Sequence, residues 1–100
     1  MTRRHTATWK HTERTIAARL NATRTGNTGT ATADAANAWL SIEAKHRAEL
    51  PAWLKTATAQ AQRNAGPGQL PIVVLHEAGG RHDGDLVVMT LADFQRLCGK

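Results

Sequence analysis

The sequence predicts a small α/β domain in which helices flank a mixed sheet of about five strands. Apolar residues recur at helical spacing in three segments, and alternating or short apolar runs of strand length lie between them. The order along the chain is helix, three strands, helix, two strands, helix. A chain of 100 residues is long enough for one such domain with a single modest core.

The first predicted helix runs from Trp9 to Leu20 and follows a basic arm, residues 1–8, that we expect to be flexible; residues 9–100 form the domain. Glu13 lies on the apolar stripe of this helix. A carboxylate is costly to bury without a compensating partner, so Glu13 either reaches solvent at the edge of the stripe or contributes to a site. The stripe that we expect to pack on the sheet consists of Trp9, Ile16, Ala17 and Leu20.

Three short strands are predicted next. Residues 21–33 are rich in Thr, Gly and Asn, which indicates two strands around a flexible turn, the second ending near Asp34. Residues 35–38 then turn the chain into a third strand, 39–46. Alternation along this strand places Ser41, Glu43 and Lys45 on one face and the apolar Leu40, Ile42 and Ala44 on the other.

The second half of the chain carries clearer boundary signals. Pro51 suits the first turn of a helix through residues 52–64, which stops at a Gly-Pro-Gly segment. The apolar run 70–76 is typical of a strand covered on both faces, and residues 86–90 form its partner. Thr90 with Asp93 resembles a capping box that opens the last helix.

The turn between these two strands collects polar side chains that suit a transition metal. Turns often collect such residues without binding anything, so we interpret this one as a solvated hairpin. The residues concerned are His76, Glu77, His82, Asp83 and Asp85.

Composition narrows the class of partner. The formal net charge of +5, with five further histidines, suits a polyanion such as DNA, although it also fits a merely soluble basic protein. A lone cysteine, Cys98, excludes a disulfide within one chain. No apolar run approaches the roughly 20 residues of a membrane span, and no signal-peptide segment follows the basic N-terminus, so we expect a reducing cytoplasm and no membrane partner. The segment 25–29 lacks the lysine and spacing of a P-loop, so no nucleotide cofactor is expected.

The third strand carries the candidate chemistry. Its period places Glu43 and Lys45 on one face, about 7 Å apart, and a hairpin brings Asp34 beside Glu43. Two converging carboxylates suit Mg²⁺ or Mn²⁺, and a lysine beside the metal can orient the attacking water. Glu13 can supply a third acid. The alternative is an exposed Glu43–Lys45 pair with no function, contributing less than about 1 kcal/mol.

Asp34 followed by Glu43-Ala44-Lys45 resembles the signature of the PD-(D/E)xK nucleases, with Ala33 where the motif has proline. The αβββαβ order is similar to the restriction-endonuclease-like core of that superfamily. Glu13 takes the place of the helix acid of archaeal-type Holliday-junction resolvases. The segments "LSIEAKHR", "LPAWLKTATAQA" and "LPIVVLH" are also similar to small endonucleases encoded by phages.

The resemblance implies a Mg²⁺- (or Mn²⁺-) dependent DNA endonuclease that leaves a 5′-phosphate. It implies metal ligation by Asp34, Glu43 and the Ala44 carbonyl with support from Glu13, and Lys45 as the residue that assists the attacking water. Gln60 would match a catalytic helix glutamine of some branches, with Gln62 as its rival. A homodimer, and a bacterial host cell if the chain is phage-encoded, follow from the same resemblance.

Basic side chains are expected to hold DNA phosphates without reading sequence, since so small a domain offers little surface to bases. Structure-specific or nicking activity is therefore expected. The alternative is a non-catalytic DNA-binding or assembly protein on the same fold. The candidate phosphate-binding residues are Arg3, Arg4, Lys10, Arg14, Arg24, His46 and Arg47.

Overall fold

A computed structural model describes residues 8–25 and 33–98. The order of helices and strands agrees with the predicted order. The predicted arm, except for Thr8, and most of the 25–29 loop lie outside the described residues. The elements are α1 Trp9–Arg19, β1 Thr23–Arg24, β2 Ala35–Ala36, β3 Ser41–Ile42, α2 Ala52–Asn64, β4 Val73–Leu75, β5 Leu86–Val88 and α3 Leu91–Cys98.

The chain divides into an N-terminal unit, Met1–Ala48, and a C-terminal unit, Glu49–Lys100. The N-terminal unit contains a three-stranded sheet in the order β1-β2-β3, and the C-terminal unit a two-stranded sheet of β4 and β5. The α/β class is confirmed. The single mixed sheet of about five strands is not present in the described part of the chain, because the strands end after two or three residues and pair only antiparallel with their neighbours in sequence.

In the N-terminal unit, α1 packs against β1 and β2. The helix begins after Thr8, whose Oγ1 accepts a hydrogen bond from the His11 N–H at 3.2 Å. Ala17 is buried together with Ala35 of β2. The predicted stripe is wrong for Trp9, which stays exposed in the first turn, where the Lys10 Nζ lies 5.6 Å from the ring centroid.

The strand boundaries before β3 differ from the prediction. Asp34 directly precedes β2 rather than ending the strand before it, and Ala35–Ala36, predicted as a turn, form β2. Asn37 makes the turn instead. Its Oδ1 accepts from the N–H groups of Trp39 and Leu40, at 3.0 and 2.8 Å. An asparagine side chain that accepts hydrogen bonds from the backbone just after it stabilises a turn. The hairpin turn therefore begins at Asn37, later in the chain than the turn predicted at residues 35–38.

In the C-terminal unit, α2 follows Pro51 as predicted and packs against β4. The prediction that β4 is covered on both faces is wrong, because burial alternates along it and Val74 remains 53% exposed. A two-stranded sheet offers too little surface to be covered twice. None of the helices in the described segments is long and apolar enough to cross a membrane.

One of the two hydrogen bonds of the predicted capping box forms at the start of α3. Thr90 Oγ1 accepts from the Asp93 N–H at 3.1 Å. The Asp93 carboxylate, buried at 4% exposure, instead accepts from Arg96 and, at 3.3 Å, from Gln62. This aspartate therefore anchors α2 to α3 rather than completing a capping box.

Candidate nuclease site

Backbone hydrogen bonds position Asp34 where the pairing of β2 with β3 ends. The register pairs Ala35 with Ile42, and the Asp34 N–H donates to the Ile42 carbonyl at 2.8 Å. The Asp34 carbonyl in turn accepts from the Thr25 N–H at 3.1 Å, so both neighbouring strands hold its backbone.

The Asp34 carboxylate contacts the segment that carries the motif. Its Oδ2 accepts from the Ala44 N–H at 2.7 Å. Continuing the register past Ala35 and Ile42 would pair Ala44 with Ala33, but the Ala33 carbonyl is taken by the Thr25 hydroxyl at 2.5 Å. The side chain of Asp34 thus replaces a backbone acceptor of the ladder.

Glu43 and Lys45 follow β3 on its exposed side. Residues 40–45 alternate between half-buried and exposed, as the sequence predicts, although the paired residues of β3 end at Ile42. The Lys45 Nζ lies 3.9 Å from Glu43 Oε2, with both side chains mostly in solvent. This contact adds little stability, so the pair is not needed for folding. It keeps an ammonium and a carboxylate together beside the backbone that Asp34 contacts.

Glu13 is paired with a cation of the chain itself. Its Oε1 accepts from Arg24 Nη2 at 2.9 Å, and the two side chains are 13% and 28% exposed respectively. Arg24, expected on a DNA-binding rim, is therefore directed at α1. Its Nε is buried without a hydrogen-bond partner in the described part of the chain. The pair compensates the charge that Glu13 brings to the apolar stripe.

Hard-oxygen ligands for Mg²⁺ are present but not gathered into a cluster of three acids. Within residues 8–25 and 33–98, the ligand atoms of Glu13, Asp34 and Glu43 do not all lie within 4.8 Å of one another. Mg²⁺ commonly takes one or two protein carboxylates and completes its shell with water and phosphate oxygens. Asp34 and Glu43 supply carboxylates of the kind that this pattern uses, whereas the Glu13 carboxylate is engaged by Arg24.

The remaining predicted residues lie at different places. Gln60 is exposed on α2 in the C-terminal unit, and Gln62 is the glutamine that bonds Asp93. Arg3 and Arg4 lie outside the described residues. His46 is tied to α1, because its Nδ1 lies 2.6 Å from Thr12 Oγ1. The exposed cations of the N-terminal unit include Lys10, Arg14, Lys45 and Arg47.

The turn between β4 and β5 contains the polar residues that the sequence offers as transition-metal ligands and that we interpret from the sequence as a solvated hairpin. The structure brings three of the five, His76, His82 and Asp85, together, with one ligand atom from each within 4.8 Å of the others. The usable signal is the strand pairing, since His76 and Asp85 flank the two strands at matching positions.

We expect Glu13→Gln to lower the free energy of unfolding by about 1–2 kcal/mol, because a bond between charged groups becomes one to a neutral amide while Arg24 stays largely buried. Urea denaturation of the metal-free protein measures this change. In the Glu13→Gln/Arg24→Gln double variant the losses should be less than additive. Arg14→Gln, an exposed change on the same helix, is the matched control. Unchanged or raised stability in Glu13→Gln would contradict a stabilising pair.

The charged groups of this region are thus an exposed pair, Glu43 with Lys45, a more buried pair, Glu13 with Arg24, and the Asp34 carboxylate. Carboxylate oxygens bind a hard cation, and an ammonium nearby can hold water or an anionic oxygen. Comparison with protein-family models, with characterised proteins and with solved structures found no match to the chain.

Proposed function

We propose that the protein is a metal-dependent DNA endonuclease of the PD-(D/E)xK type that nicks DNA or cuts branched DNA. The observation that supports the proposal is the position of Asp34. Main-chain hydrogen bonds with Thr25 and Ile42 fix the backbone of Asp34, and its carboxylate accepts from the Ala44 N–H of the Glu43-Ala44-Lys45 segment. The sequence motif requires this proximity. The order of helices and strands along the chain is also compatible with the αβββαβ order of the restriction-endonuclease-like core.

In the proposed site, Asp34, Glu43 and the Ala44 carbonyl hold Mg²⁺ or Mn²⁺. The bound cation would polarise the scissile phosphate and make its water more acidic. The Ala44 N–H orients the Asp34 carboxylate by donating to Oδ2. Lys45 would hold the attacking water, or the developing negative charge, with its ammonium group.

Glu13 and Arg24 act as a positioning pair in this proposal. Arg24 lies on β1 and is the register partner of Ala35, which directly follows Asp34. A fixed internal cation there offsets the repulsion between Glu13 and the two other acids that would otherwise accumulate at one end of the sheet. Support of the metal by Glu13 would then be indirect, through a water.

DNA binding in the proposal uses the exposed cations of the N-terminal unit. Lys10 and Arg14 lie on α1, and Arg47 follows the motif closely. The contact between His46 and Thr12 fixes the segment after Lys45 on α1, so Arg47 emerges from an anchored backbone. Phosphate contacts of this kind do not read sequence. Two copies of a single site would be required to cut both strands of a junction, which is why we propose a homodimer.

The test is a cleavage panel on supercoiled plasmid, a four-way junction, a flap and linear duplex. With Mg²⁺ or Mn²⁺ we expect nicking or junction cleavage, and with EDTA we expect none, because the cation would bind and acidify the water that attacks the phosphate. Products should carry 5′-phosphates. Absence of cleavage on every substrate with either cation would refute the proposed activity.

A non-catalytic DNA-binding protein is the second candidate, and the Glu13–Arg24 pair favours it. A helix acid neutralised by the chain's own arginine does not need a metal. Such a protein should retard the same DNA substrates equally with Mg²⁺ and with EDTA, and it should cut none of them. Its affinity should fall steeply with salt, because phosphate contacts release counterions.

A further inference from the structure

The connection between β4 and β5 brings two imidazoles and one carboxylate together. Leu75 pairs with Leu86, so the next residues outward, His76 and Asp85, face each other across the hairpin. The Gly80 N–H bonds to the Glu77 carbonyl at 2.9 Å, and Gly79, with φ of 87°, supplies the left-handed backbone that this turn needs.

A 3-10 helix, His82–Gly84, then returns the chain to β5. Its hydrogen bond from the Asp85 N–H to the His82 carbonyl, at 3.0 Å, sets His82 one turn before Asp85. The hairpin and the 3-10 helix therefore fix the three side chains independently. No ligand is needed to assemble them.

The three side chains converge through specific atoms. His76 Nδ1 lies 2.6 Å from Asp85 Oδ1, and His82 Nδ1 lies 3.0 Å from Asp85 Oδ2. The two imidazole rings stack with centroids 4.1 Å apart and an interplanar angle of 28°. Each carboxylate oxygen thus lies against one ring nitrogen, and both Nδ1 atoms point to the same group.

Burial is graded across the cluster. The Asp85 side chain is 15% exposed, whereas that of His82 is 81% exposed. The carboxylate is thus shielded while one ligand remains open to solvent. This arrangement provides a low-dielectric anchor with an entry path, which favours binding of a cation from solution.

We infer that His76, His82 and Asp85 form a binding site for a divalent first-row transition cation, represented by Zn²⁺. Two imidazole nitrogens and one carboxylate oxygen select Zn²⁺, Co²⁺ or Ni²⁺ over Mg²⁺ and Ca²⁺. Tetrahedral bonds of about 2.0–2.1 Å would separate the ligand atoms by about 3.3 Å. The present N···O distances of 2.6 and 3.0 Å are shorter, so the ligand atoms must spread by less than about 1 Å to admit the metal.

The Asp85 carboxylate determines whether the cluster favours a positively or a negatively charged ligand. An anion at this point would face Asp85 directly, so the cluster repels phosphate and attracts a cation. Three protein ligands leave the fourth Zn²⁺ position to water. Metal binding would join the end of β4 to the residues before β5 and so stabilise the folded turn over its open forms. The inference is independent of the nuclease proposal.

The test is a titration of the full chain with ZnCl₂, followed by calorimetry and by NMR of the imidazole ring signals. All proteins carry Cys98→Ser, because the exposed thiol can bind Zn²⁺ by itself. We expect one Zn²⁺ per chain, with the His76 and His82 signals shifting together and the other histidines unchanged. An equal concentration of MgCl₂ should leave both signals in place.

Variants separate a metal site from a hydrogen-bonded turn. His82→Gln removes a solvent-exposed ligand without threatening the fold, and Asp85→Asn keeps the shape of the carboxylate. Each should weaken Zn²⁺ binding by more than about 100-fold, since loss of an outer-shell partner alone costs about 10–100-fold. The matched control, His11→Gln, should bind as the parent does. Binding that survives His82→Gln, or ring shifts confined to other histidines, or no binding at all, would overturn the inference.

Discussion

Asp34→Asn should reduce Mg²⁺-dependent cleavage by more than about 100-fold and leave the protein folded. The amide removes the negative charge that a hard cation requires, and losing a direct ligand exceeds the roughly 10–100-fold cost of losing an outer-shell partner. The asparagine Oδ1 can still accept from the Ala44 N–H, which Asp34 Oδ2 accepts at 2.7 Å. Single-turnover plasmid nicking measures the rate, and urea denaturation measures the fold.

Two further variants identify the cause of the loss. Asp34→Ala removes the acceptor as well as the charge, so it should also lower stability by about 1–3 kcal/mol, the cost of leaving the half-buried Ala44 N–H unpaired. Glu49→Gln changes net charge equally at an exposed position and should cleave normally. Wild-type rates in Asp34→Asn would refute the assignment of Asp34 as a ligand. Equal stability of the Asn and Ala variants would show that the carboxylate does not support the ladder.

Helix boundaries are the most predictable part of the fold, because their signals are local. Pro51 precedes α2 at its predicted start, and Thr90 caps α3 through its own hydroxyl. Both features act within one turn of the chain. No knowledge of tertiary contacts is needed to predict these helix boundaries.

Strand extents are less predictable, because a strand ends where its partner ends. The apolar run 70–76 contains only the three paired residues Val73–Leu75. The start of β2 directly after Asp34 has no local signature, and alanines, which disfavour strands, form β2 because β1 and β3 flank them on both sides. The prediction thus places Asp34 at the wrong strand end, and the contact that the structure shows for its carboxylate is with the Ala44 N–H.

The candidate site is predictable where spacing sets geometry. Glu43 and Lys45 share the exposed side because alternate residues of a strand do so. The partner of Glu13 is not predictable in this way. Because Glu13 lies on the apolar stripe, its carboxylate needs a compensating positive charge. From the sequence, a bound metal and any of several arginines are equally suitable partners. Only the packing of α1 on β1 selects Arg24.

Lys45 provides the sharpest separation between catalysis and binding. The residue is exposed and its contact with Glu43 spans 3.9 Å, so Lys45→Met should change stability by less than about 1 kcal/mol. The variant keeps the aliphatic stem and removes only the ammonium group. Any large effect on cleavage therefore reports chemistry at the Nζ position and not damage to the fold.

We expect Lys45→Met to slow single-turnover cleavage by about 100-fold or more, the lower range of what a positioned proton-transfer group contributes. Mg²⁺ affinity should be equal or higher, because a cation near the metal position is removed. Lys55→Met, an exposed change on α2, is the matched control and should cleave normally. DNA affinity, measured with Ca²⁺ in place of Mg²⁺, should change little. If Lys45→Met instead weakened DNA binding and left the single-turnover rate intact at saturating protein, Lys45 would be a phosphate contact, and the motif would have lost its catalytic member.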